Sequence, residues 1–178
     1  MSSVQSSCSI VVIGGMNPSI HHPAWYLTQG LLSEDAAEVA LRNDDTVVSR
    51  HAAQFRTTSM RLQCIDERWS IEAREINRLD AVAELAIRMF DEILVHTPVK
   101  AYGVNIHSNI ETELESCSEF LLNNVNASGI GVGNLSFSGA ALKFKLPIEN
   151  HAVEIRIEPS AKSESIVFLA TNFHYEIP

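Results

Sequence analysis

Val104-Asn105-Ile106-His107 and Thr171-Asn172-Phe173-His174 are the two stretches whose reading decides the fold. Each lies at the centre of a β-branched and aromatic run, residues 99–110 and 166–177, and both runs read as strands. Side chains alternate along a strand, so Asn105 shares a face with His107 and Asn172 shares one with His174. On the first strand that face also carries Ala101 and Gly103, and on the second Phe168 and Ala170. Small residues beside polar ones leave room for another group to approach.

Working outward, the best helix signal precedes the first of these strands. Asn77 reads as an N-cap with Asp80 in the acidic first turn. Leu79, Val82, Leu85, Ala86, Met89, Phe90, Ile93 and Leu94 then recur at helical spacing, and Pro98 ends the run. Upstream, Met60, Leu62 and Cys64 alternate, as do Trp69, Ile71 and Ala73, so 57–73 predicts a hairpin. Downstream, 111–124 reads as a second helix. Residues 135–146 and 153–157 read as a second hairpin closed by the 166–177 strand. The order hairpin, helix, strand over 57–110 and hairpin, link, strand over 135–177 is compatible with an internal duplication. The expectation is an α+β fold in one domain, 1–178. A mostly antiparallel sheet, from two pseudo-repeated halves, carries one long amphipathic helix across it.

The N-terminal part is less regular. Met1–Ser7 reads as a polar lead and Ser9–Ile13 as a buried strand ended by Gly14-Gly15. Pro18-Ser19-Ile20-His21-His22-Pro23-Ala24-Trp25-Tyr26 reads as an ordered, extended loop. Ser33 followed by Glu34 and Asp35 marks a helix start, with Asn43-Asp44-Asp45 as its stop.

The segment from Ser70 through Gly103-Val104-Asn105-Ile106-His107, with Asn172-Phe173-His174, resembles a sporadically distributed family of uncharacterised bacterial proteins. Those have a strand, a long helix and a strand ending in a similar Asn-containing motif. The likeness covers about half of the chain, and the 18–26 loop falls outside it. It implies an α+β fold and a bacterial or phage setting, and no chemistry.

Composition bounds the rest. The net charge is −9, a field that repels phosphate backbones and anionic membrane, so neither nucleic-acid nor membrane binding is expected. Cys8, Cys64 and Cys117 are odd in number and lack CxxC spacing, which points to free thiols in a reducing cytoplasm. No apolar run approaches the length of a membrane span.

Candidate chemistry is sparse. Asn105, His107, Asn172 and His174 form a candidate polar patch if their strands are neighbours, either as a site or as groups that satisfy one another across strands. Pro18, His21, His22, Trp25 and Tyr26 form a candidate partner surface, because aromatics beside prolines often anchor partners. The alternative is that Trp25 and Tyr26 pin the loop to its own core. Adjacent His21 and His22 rarely share one ion, so no metal is expected. Gly129-Ile130-Gly131-Val132-Gly133 lacks the strand-before, helix-after context of a phosphate loop. No catalytic residues and no cofactor are expected. The leading reading is a non-catalytic protein that binds a protein partner and forms a homo-oligomer through exposed sheet edges. The others are a small-molecule or nucleotide-binding protein, or an enzyme, using the Asn/His patch, and an acidic inhibitor of a nucleic-acid-handling enzyme.

Overall fold

The computed structural model describes residues 4–113, 116–118, 121, 141–148 and 151–177. The chain opens with β1 (Val4–Gly14), which starts inside the stretch expected as a polar lead. A 3-10 turn (Pro18–Ile20) and α1 (Pro23–Thr28) follow where an extended loop is expected. Proline at the first position of each has its fixed φ already suited to a helix, and the His22 side chain accepts the Ala24 N–H at the start of α1. Then come α2 (Glu34–Arg42), β2 (Val47–Val48), β3 (Ala52–Arg56), β4 (Met60–Ile65) and β5 (Arg68–Ala73). Ser33 caps α2 as expected, its hydroxyl accepting the Ala36 N–H at 3.3 Å.

The long helical segment, 76–93, changes pitch twice. It begins as a 3-10 turn (Ile76–Arg78), continues as α3 (Leu79–Ile87) and ends as a π-helix (Arg88–Ile93). Asn77 lies within the opening turn rather than capping it, and no side chain caps either start. The strands β6 (Val99–Glu111), β7 (Leu142–Ile148), β8 (His151–Pro159) and β9 (Ile166–Glu176) complete the described chain. Most of the expected second helix, the first part of the expected 135–146 strand and the 129–133 glycines fall outside the described residues.

The fold is α+β, and the described strands form one antiparallel sheet in the order β2-β3-β4-β5-β1-β6-β9-β8-β7. The expected hairpins are β4–β5 and β7–β8. β1 enters between β5 and β6, whereas β8 pairs directly with β9, so the two halves differ in connectivity. Gly14, at the end of β1, is required by packing: a Cβ there would sit 2.4 Å from the Pro98 carbonyl oxygen.

Register gives the sheet two contrasting faces. One row across eight strands reads Phe55, Leu62, Ile71, Ile10, Val104, Phe173, Val153, Leu146. The adjacent row on the other face reads Arg56, Arg61, Glu72, Ser9, Asn105, Asn172, Glu154, Lys145. The apolar face is buried under helices over the first half of the sheet. Val82, Leu85, Ala86 and Met89 pack with Ile10, Val12, Trp69 and Ile71, while Tyr26, Ala37 and Ala40 extend this core toward β3. Such a wide apolar cover is the main source of stability for a chain of this size.

Candidate functional site

The expected polar patch lies at the middle of the polar face. β6 and β9 are neighbours, with Asn105 directly opposite Asn172. Asn172 Nδ2 donates to Asn105 Oδ1, and Asn105 Nδ2 donates to Ser9 Oγ at 3.3 Å. A relay therefore crosses three strands, β9 to β6 to β1, and the two asparagines satisfy each other as cross-strand partners.

The histidines are held apart by the same register. Antiparallel pairing sets His107 opposite Ala170 and His174 opposite Gly103. Four residues then separate them along the strand direction, roughly 13 Å, too far to act on one atom. His107 lies against Phe168, 5.6 Å between ring centroids, and the Arg156 guanidinium sits 5.9 Å over the same ring. His174 Nε2 is 4.0 Å from Glu176. Gly103 fits closely under Phe173, where an added Cβ would meet its carbonyl oxygen at 3.3 Å. All four predicted residues share one face, but the arrangement joins the asparagines and disperses the histidines.

The 18–26 segment is placed differently from a surface loop. Pro18, His21 and Tyr26 are buried, Trp25 is half-buried, and His22 is exposed. Three of the five residues expected as a partner surface are therefore closed to any partner. Trp69 Nε1 donates to the Tyr26 phenol oxygen at 3.0 Å, leaving the phenol proton free to reach His21 Nδ1 at 2.7 Å. Tyr26 also packs edge-on against Phe55, 5.1 Å between centroids. Burial lowers the His21 pKa to about 4, keeping the ring neutral, and pushes the Tyr26 phenol well up. Burial likewise raises the thiols of Cys8 and Cys64, the latter to about 12, so neither is a ready nucleophile. Among the described residues no three His, Cys, Asp or Glu side chains come together to hold an ion.

Two features of the apolar face escape a reading by local pattern. Tyr102, Tyr175 and His151 stack across β6, β9 and β8 at 4.7 and 4.8 Å, a ladder visible only once register is known. Beside it, residues of α3 and of the π-helical turn line a groove of about 510 Å³ together with residues of β1 and β6. Ile10, Val12, Ala86, Phe90, Tyr102 and Val104 are among its lining residues, and Asp91 is the one charged side chain among the described residues there. Farther out, β7 presents Phe144, Leu146 and Ile148 at 48%, 51% and 47% exposure. No family model matches this chain, and no curated protein matches it either.

Proposed function

We propose that this chain is a non-catalytic binding protein that works by contact with protein surfaces, a second copy of itself first among them. The observation that carries this reading is the outer end of the apolar row. On β7 the alternation continues as if toward a core, yet Phe144, Leu146 and Ile148 stay about half exposed. Apolar side chains in a contiguous stripe at a sheet border are typical of a contact surface. The stripe favours contact through the face rather than strand addition along the edge. Lys143, Lys145 and Pro147 blunt edge pairing on β7, and β2 at the other border has only two residues. The polar face supports the non-catalytic part, because its central groups bond to one another instead of converging on a point. The three free, buried thiols are compatible with a reducing cytoplasm, and the family resemblance suggests a bacterial or phage setting.

Light scattering on the purified chain, compared with Leu146→Glu, tests the reading. The expected result is a concentration-dependent dimer that the glutamate returns to monomer without loss of secondary structure. A parent chain that stays monomeric at high concentration overturns self-association.

A second reading, small-molecule binding, is favoured by the groove lined by α3 and the π-helical turn, whose size and mostly apolar lining suit a compact ligand.

A further inference from the structure

The charged end of the polar row holds a feature that neither reading uses. Arg56 and Arg61 are directly opposed across β3 and β4, and Arg74 follows the end of β5 on the same face as Glu72. Together with the turn Thr57-Thr58-Ser59 they line a cleft of about 170 Å³. Three guanidinium groups and one carboxylate meet here in a chain whose net charge is −9.

Like charges directly opposite each other on a sheet face are destabilising. Among the described residues this pair is offset only in part, because Glu72 is cross-strand from Arg61 without closing an ion pair to it. Arg56 reaches Asp45 only at 3.7 Å, and Arg61 Nη2 reaches only the neutral Gln54 Oε1, at 3.4 Å. Arg61 Nε is buried with no hydrogen-bond partner, and Arg74 makes no ion pair among the described residues. A buried donor left unmade costs free energy, and the three clustered guanidinium groups carry more charge than Glu72 and Asp45 supply. The turn is closed by Thr57 alone, whose Oγ1 accepts from the N–H groups of Ser59 and Met60 at 3.3 and 3.1 Å. The hydroxyls of Thr58 and Ser59 make no hydrogen bond among the described residues and remain available as donors at the rim.

We infer that this cleft binds a phosphate group, free or at the end of a small phosphomonoester. Guanidinium forks match a tetrahedral oxyanion in both charge and donor geometry, and bound phosphate separates the opposed pair with shared negative charge. A cleft of about 170 Å³ has room for one phosphate with part of its hydration. A polynucleotide is disfavoured by the acidic charge of the rest of the chain. Glu72 limits affinity by facing the same space, cross-strand from Arg61.

Isothermal titration of the full chain at constant ionic strength tests the inference, with inorganic phosphate, AMP and adenosine as probes. Phosphate and AMP are expected to saturate one site, and adenosine to give no heat. Equal affinities for phosphate and AMP identify the phosphate alone as the recognised part. Tighter AMP binding adds contacts from the ester to the same site. Arg61→Gln and the more exposed Arg74→Gln should each weaken binding by at least about tenfold. Glu72→Gln should tighten it. Heats that never saturate, binding of adenosine equal to AMP, undiminished affinity in a folded Arg74→Gln chain, or no tightening in Glu72→Gln would each overturn the assignment.

Discussion

The two ends of one apolar row are chemically alike and physically opposite. Phe55, Leu62 and Ile71 are each 2% exposed beneath the helices, whereas Leu146, seven strands along the same row from Phe55, is 51% exposed. Alternation of apolar and polar residues specifies which face of a strand turns inward, and it says nothing about whether a layer exists to cover that face. In the first half the cover comes from α1, α2 and the 76–93 helical segment. On β7 the same pattern persists with side chains about half exposed. Burial is thus a property of the layer arrangement and not of the strand pattern alone.

The sharpest way to break the comparison is to truncate one large side chain at each end. Trp69 is fully buried, packs edge-on against Phe90 at 5.3 Å and donates to Tyr26. Trp69→Ala should cost about 3–5 kcal/mol, enough to unfold a marginal chain, while Leu146→Ala should cost about 0.5 kcal/mol or less. Urea unfolding followed by circular dichroism measures both. Equal losses would mean that β7 belongs to the folding core and not to a contact surface.

How far the sequence anticipates the fold depends on how local each signal is. The β4–β5 hairpin, the Ser33 cap and the strand character of β6 and β9 are carried by residues within a dozen positions of each other, and all are present. The place of β1 is not local. Its pairing joins Ser9 to Asn105, far apart in the chain, and no nearby residue signals that it separates β5 from β6. The 18–28 stretch is misread for another reason. Two prolines in a short span read as extended backbone, but Pro18 and Pro23 start helical turns. Once those turns form, His21 and Tyr26 point inward, where hydrogen bonding to each other and to Trp69 makes their burial tolerable. The asparagines of the patch were legible as a pair on one face. The dispersal of the histidines was not, since it follows from the antiparallel register.

The two polar networks extend the comparison to pH. The His21–Tyr26–Trp69 chain lies inside the core and is sensitive to charge. His21 has a folded pKa of about 4 against an ordinary value of 6.5, so between these values the unfolded chain binds the proton that the folded chain refuses. Its contribution is therefore complete above pH 6.5 and is lost as pH falls toward 4, by a total on the order of 3 kcal/mol. His21→Gln removes this titration. Unfolding free energies of parent and variant, measured across that window, should converge as the pH drops. A constant difference between them would show that His21 does not titrate with folding.

The Asn172–Asn105–Ser9 relay is the open counterpart, and its effect should be the smallest. It ties the central strands of the two halves together on a face where water can replace a lost partner. Asn172→Ala removes one donor and should cost about 1 kcal/mol, while Asn105→Ala removes both links and should cost somewhat more. His107→Ala, on the same face but exposed and outside the relay, should change stability by less than about 0.5 kcal/mol. Urea midpoints at an unchanged slope read all three. If His107→Ala proved as costly as Asn105→Ala, the polar face would owe its order to a contact between His107 and Phe168 rather than to the asparagine pair. The junction of the two halves would then be held at its flank instead of its centre. The expected ranking places it at the centre, because of the four patch residues the two asparagines are directly opposed across β6 and β9 and linked onward to β1.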